Sequence, residues 1–203
     1  PPLTLAPSAT PTTAAPSYPW EQTNLLNFSS LAVQSWAYGG GSQNADDGYA
    51  FFARGTGLAI SGNTWLAFEL ASAYVVDDAS YLRFDFSQLV SCEIHAIALL
   101  ADGYSAGASG QAFSTYYIWQ LSGSQVWGDA DSSFAYSATP GETQTFTISL
   151  ASSEGMSVTD IGIANDCDTG ATNDAAYARV ALYSLAPTAS PTVSAVPSAL
   201  PIP

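Results

Sequence analysis

The chain contains no lysine, and its basic side chains are Arg54, Arg83 and Arg179 alone, set against seventeen acids for a net charge of −14. Without a basic surface to release counterions, nucleic acid and anionic membranes are poor partners. Long apolar runs are also missing. The longest, such as Ile94–Ala101, have the length of a strand and fall short of a membrane span, so membrane insertion is not expected. Histidine occurs once, at His95, and cysteine twice, at Cys92 and Cys167, which is too little for a histidine- or thiolate-rich metal centre. Proline is nearly absent from the body of the chain: of twelve prolines, Pro140 alone lies between residues 20 and 186.

What is present divides the chain into three parts: a Pro/Ser/Thr-rich segment at 1–19, an aromatic-rich body at 20–186 and a second Pro/Ser/Thr-rich segment at 187–203. Neither end carries a charged residue. Such tails bury too little apolar surface to offset their ordering entropy unless something outside them holds them. Both favour polyproline II, and at about 3.1 Å per residue each could reach on the order of 50 Å. PSATPT near the start resembles PTASPT near the end, as expected of one repeat cut from a tandem array. The chain opens on Pro with no leader before it, consistent with a processed or excised form.

The body reads as β-structure throughout. Residues 49–54, 57–60, 65–70, 81–86, 93–100, 116–121, 144–150, 160–164 and 177–185 are rich in β-branched and aromatic residues. Turn sequences such as GTG, SGN, DDAS, TPGE and SSEG separate them. Many short strands at this spacing predict a sandwich or barrel. Residues 30–36 fit either a strand or a short helical entry. The even cysteine count points to one disulfide, Cys92–Cys167, with two buried thiols as the alternative.

Several motifs carry a chemical reading beside a plainer one. Residues 103–107, GYSAG, match the G-x-S-x-G elbow of hydrolases. That motif needs a strand–turn–helix setting and a histidine downstream, whereas His95 lies upstream. A surface loop is the better reading. The five glutamates show no acid/base pairing, and no enzymatic activity is expected. Asn165, Asp166 and Asp168, with Asn173 and Asp174, form an oxygen-rich stretch that could hold a structural Ca²⁺; Asx turns explain it equally simply. No other cofactor is indicated. Asn27-Phe28-Ser29 is an N-glycosylation sequon. The tails offer O-glycosylation candidates at Thr4, Ser8, Thr10, Thr12, Thr13, Ser17, Thr188, Ser190, Thr192, Ser194 and Ser198. Most of the aromatics must be core; Tyr38 and Trp127, each beside glycine, are the candidates for exposed sugar-stacking positions.

Three stretches carry a family resemblance: YGGGSQNADDGYAFFARGTGLAISGNTW at 38–65, LRFDFSQLVSCEIHAIALLADG at 82–103, and IGIANDCDTGATNDAAYARVALY at 161–183. Together they resemble the jelly-roll carbohydrate-binding-like modules appended to secreted enzymes and surface proteins, over about residues 38–185. The resemblance implies an all-β, jelly-roll-type β-sandwich; the extended Pro-rich tails at 1–19 and 187–203 lie outside it. It also implies glycan contacts at Glu93 and His95, although a hydrogen-bonded core histidine is the simpler account of His95. Cys167 stands where the pattern leads one to expect histidine, which suggests a disulfide pinning that loop to the strand at 93–100.

Two functions follow as expectations. The first is a non-catalytic extracellular or cell-surface glycoprotein, a subunit of a self-associating filament joined by its Pro-rich tails lying along neighbouring copies. The second is a carbohydrate-binding module with Pro-rich linkers.

Overall fold

The computed structural model describes residues 25–35, 48–101, 116–125, 135–168 and 174–185. The Pro-rich tails, and with them every candidate O-glycosylation site, lie outside the described residues. So do Tyr38, Trp127, Asn173 and the GYSAG motif.

Ten strands are described: β1 (Val33–Ser35), β2 (Tyr49–Phe52), β3 (Gly57–Ile60), β4 (Thr64–Val75), β5 (Ser80–Gln88), β6 (Ile94–Ala101), β7 (Tyr116–Ser122), β8 (Gln144–Ser149), β9 (Ser157–Asp166) and β10 (Ala175–Ser184). They form two antiparallel five-stranded sheets, β1-β4-β9-β6-β7 and β2-β3-β10-β5-β8. The chain crosses repeatedly between them, and the result is the jelly-roll-type β-sandwich that the sequence leads one to expect. All nine predicted strands are present. The ambiguous stretch at 30–36 resolves into a 3₁₀ turn at Phe28–Ser30 followed by β1.

Strand alternation decides what faces what. On β5, Leu82, Phe84 and Phe86 enter the core, and Tyr81, Arg83 and Asp85 point away from it. Opposite them, Phe68, Ile97, Leu99, Ile161 and Ile163 close the core from the first sheet. Each such side chain contributes roughly 1.5–3 kcal/mol by burial. Phe84 stacks on Phe146 at 5.1 Å, and Phe86 lies 4.9 Å from Tyr177. The Tyr177 hydroxyl is buried within this layer and donates to the Ala96 carbonyl at 3.1 Å, so its polar atom is satisfied. Burial pushes its ionisation far up.

The two outer faces differ. β6 is buried on both sides: Ile94, Ala96, Ala98 and Leu100 join Trp65, Ala67, Ile118 and Ala164 in a second apolar cluster outside the first sheet. The outer face of the second sheet is polar and more open, and it positions the site described next.

Candidate functional site

Cys92, Glu93, His95, Asn165, Asp166 and Cys167 gather at one end of the sandwich, whereas Asn27 lies beside Gly55 in the turn between β2 and β3. Cys92, just before β6, and Cys167, just after β9, form a disulfide with Cα atoms 4.7 Å apart. The antiparallel β6–β9 pairing sets Ile94 opposite Asp166 and brings the two cysteines together. Asn63 straddles the second cysteine: its Oδ1 accepts the Cys167 N–H at 2.6 Å, and its Nδ2 donates to Asp168 at 3.0 Å.

Behind the disulfide lies a buried polar knot. Asp174 Oδ2 accepts the Gly62 N–H at 2.7 Å and the Asn165 side-chain amide at 3.3 Å. The same amide donates to the Gly62 carbonyl at 2.6 Å. His95 turns inward beside Phe86, with Nε2 at 3.1 Å from the Val90 carbonyl. His95, Asn165 and Asp174 are fully buried. His95 Nδ1, Asn165 Oδ1 and Asp174 Oδ1 make no hydrogen bond among the described residues. Burial holds the imidazole below its ordinary value, opposed by the Val90 carbonyl, Asn165 and Asp174, which favour the charged ring. On the outer side, burial and then the charges of Glu93 and Asp168 hold the Asp166 carboxyl above the usual carboxylate range.

Two expectations change here. His95 is sealed in the core, so the simpler reading holds and a direct glycan contact does not. The expected Ca²⁺ ligands also diverge. Asn165 and Asp166 are consecutive in β9 and project from opposite faces. Asn165 is buried beside Gly62 and Asp174, on the face opposite Asp166, so it does not join Asp166 and Asp168 in one oxygen cage. An Asp174 carboxylate oxygen lies within 4.8 Å of both cysteine sulfurs, but the disulfide bond consumes the sulfurs as ligands. Glu93 is half-buried at the strand entrance, where its N–H donates to the Asp166 carbonyl at 2.8 Å. Asn27 is exposed, with Oδ1 accepting the Ser29 hydroxyl at 2.8 Å.

A second constellation, not singled out by the sequence, occupies the outer face of the second sheet. Small residues form its floor: Ala59 pairs with Ala176 and Gly57 with Ala178, while Ala181, paired with Arg83, is fully covered. Phe52 pairs with Gly57 at one edge, and a side chain on Gly57 would run into the Phe52 ring at 2.4 Å. The glycine thus provides the seat over which that ring lies, 42% exposed. Further along, Tyr81 stacks on Tyr183 at 5.7 Å.

Arg83 and Arg179 stand on this face. Arg179 lies where the β5–β10 register shifts, and its Nε donates to Asp85 Oδ2. Asp85 in turn accepts the Thr145 hydroxyl at 2.7 Å. Arg179 adopts a left-handed backbone, φ 51°. The other non-glycine residues with positive φ among those described are Ala53 and Arg54, at 48° and 59°. They form the turn between β2 and β3, and the Arg179 N–H donates to Thr56 in that turn at 3.1 Å. All three strained positions therefore adjoin, and two carry arginine. Each such position costs about 1–3 kcal/mol and persists only where its surroundings over-determine it. The composition contained a signal for this group, since these are all the cations the chain has.

No family model matches the chain, and no curated protein matches it. Among solved structures, it is similar to the glycoside hydrolase domain of Endo-D from Streptococcus pneumoniae R6, with a TM-score of 0.38 and 11% identity over 66% of this chain and 19% of that one. The chain thus spans about a fifth of that structure's length. The expectation that the chain is not an enzyme is corrected by this finding, because the matching structure is a glycoside hydrolase domain. At that TM-score the likeness assigns no activity to the present chain.

Proposed function

We propose that the domain is a carbohydrate-binding module of an extracellular protein, with the outer face of the second sheet as its binding platform. The observation that carries this reading is Phe52, an exposed ring lying over Gly57 at the edge of an alanine floor. A flat aromatic packs against the apolar C–H face of a sugar ring. Small floor residues let a saccharide approach the sheet closely. The hydroxyls of Thr145, Thr147 and Ser149, exposed on β8, offer donors and acceptors for sugar hydroxyls. The disulfide suits an oxidising compartment. No helix among the described residues is long and apolar enough to cross a membrane.

The test is affinity electrophoresis of the full chain and of Phe52→Ala through gels containing soluble polysaccharides. Retardation of the parent that Phe52→Ala loses supports the reading. Equal mobility of both in every gel defeats it.

A second reading, a filament subunit joined through its tails, draws on a different feature. A cleft of about 250 Å³ is lined by Leu25, Leu70, Ala71, Tyr74 and Leu182, with others. Leu25 is the first described residue, a few positions past the tail at 1–19, and Leu182 lies three positions before the last described residue, Leu185. An uncharged tail from a neighbouring copy suits such an apolar cleft. Glycans at Asn27 and on the tails would keep the assembly soluble. Sedimentation of the full chain beside a form lacking residues 1–19 and 187–203 tests this: assemblies lost on trimming support it, and monomers in both samples defeat it.

A further inference from the structure

We infer that the ligand of this platform is an anionic saccharide, whose carboxylate or sulfate groups are received by Arg83 and Arg179 with Arg54 at the rim. The inference rests on the carbohydrate-binding reading and adds the chemical class of its ligand.

Two independent observations lead there. The first is charge placement. The whole chain holds three cations against seventeen acids, and all three belong to the second sheet or to the turn joining two of its strands: Arg83 on β5, Arg179 on β10, and Arg54 between β2 and β3. Scattered for solubility, so few cations would be expected near the acids of both sheets. The second is backbone strain. Arg54 and Arg179 are carried by left-handed backbone in two segments bonded to each other. Bulges of this kind re-aim a side chain, and strained positions cluster at ligand clamps. Here they deliver arginine to the outer face on which the exposed Phe52 ring lies over Gly57.

Asp85 makes the arrangement more specific. It is almost fully buried, is fixed by Thr145, and holds the Arg179 guanidinium through Nε. This orients the planar fork, which is matched to carboxylate and sulfate groups. Asp85 is therefore a positioning residue. Phe52 to one side and Tyr81 to the other bracket the arginines, so sugar rings and their anionic substituents can be met together.

The overall charge of −14 opposes a polyanion, but screening limits its reach. At about 0.15 M salt the Debye length is about 8 Å, so the nearby arginines outweigh distant acids, whereas at about 0.01 M it is about 30 Å and whole-molecule repulsion returns. Near 1 M it is about 3 Å and the arginine contacts themselves weaken. Affinity is therefore expected to peak at intermediate ionic strength, a signature that neither simple polyanion attraction nor neutral-sugar binding produces.

The experiment measures binding of the full chain to polygalacturonate, to a sulfated polysaccharide and to a neutral β-glucan across that salt range. It includes the parent, Arg83→Gln, Arg179→Gln and Phe52→Ala, with sedimentation velocity on each. The expected result is preference for one or both acidic polymers, an affinity maximum at intermediate salt, and a loss of about tenfold or more in each arginine variant, as for a charge-assisted hydrogen bond. The two acidic arms distinguish a uronate from a sulfate ligand. Binding to the neutral polymer alone, or equal binding to all three without salt dependence, overturns the anionic class and leaves the carbohydrate-binding reading standing. Absence of binding to every polymer overturns both. Arginine variants that change the sedimentation coefficient but not polymer binding also overturn the inference, since the face would then meet acids of a second copy.

Discussion

The carboxylate of Asp174 accepts the backbone N–H of Gly62 at 2.7 Å, joining positions 112 residues apart in the chain. With Asn165 it ties the turn before β4 to the entrance of β10 through hydrogen bonds. Leu89 and Val90 complete the tie by donating their N–H groups to the Asp174 carbonyl at 2.8 and 3.2 Å.

Asp174→Ala should therefore destabilise the domain more than an average substitution. It strands the Gly62 N–H and part of the Asn165 amide in a buried setting, at a cost of about 1–3 kcal/mol for each unsatisfied group. Urea denaturation monitored by tryptophan fluorescence checks this. A midpoint within error of the parent's would show that the knot does not hold this end together.

Opening the disulfide should also be costly. The bridge spans 75 residues of sequence, and a loop of that size corresponds to about 4 kcal/mol of restricted unfolded-state entropy. The double variant Cys92→Ala/Cys167→Ala should unfold at markedly lower denaturant, and reductant should have no further effect on it. Parent and variant converging in the presence of reductant completes the check.

Stability should depend on pH through two groups of opposite sign. The folded His95 is held below its ordinary value, so the unfolded chain takes up that proton more readily as pH falls. Its neutral form supports the fold above the ordinary value near 6.5, and that support fades as pH drops below it. Asp166 works the other way. Its folded carboxyl keeps a proton to higher pH than the unfolded one, favouring the fold in acid and ceasing to do so as pH rises through its raised value. Asp166→Asn should thus be more stable than the parent at neutral pH, with the difference shrinking toward pH 4. His95→Gln should flatten the slope between about pH 7 and 5. Thermal midpoints across pH for the three proteins decide both.

Gly57→Ala is a test of the platform's edge. Its new methyl would meet the Phe52 ring at 2.4 Å, so the ring must leave its seat. Because Phe52 is 42% exposed, the ring can swing into solvent, and the stability change should stay below that of a core substitution. Saccharide binding should fall about as far as in Phe52→Ala. Unaltered binding in Gly57→Ala would mean that the ring's seat does not matter.

Much of the fold was legible because alternation in strands such as YLRFDF records burial directly: core positions must be apolar, and period two assigns them to one face. β6 was harder to read for faces, since a strand buried on both sides loses its alternation and runs apolar throughout. The site was legible only in part. His95 and the Asn165–Asp168 stretch stood out as chemistry-bearing, yet nothing local reports that Asn165 turns inward to a glycine a hundred positions earlier. Gly57 and Phe52 carried no signal, because a glycine acting as a seat for a ring looks like any turn glycine.

Composition, alternation and turn chemistry, which act over a few residues, were enough to determine the all-β class, the strand positions and the acidic charge balance, and they pointed to a disulfide that the structure then formed between Cys92 and Cys167. Only the tertiary structure decided that Arg54, Arg83 and Arg179 share one sheet and its adjoining turn, that His95 is core, and that the calcium candidates diverge. Those outcomes depend on which strands become neighbours and in what register, and that is settled by packing two sheets over a common core.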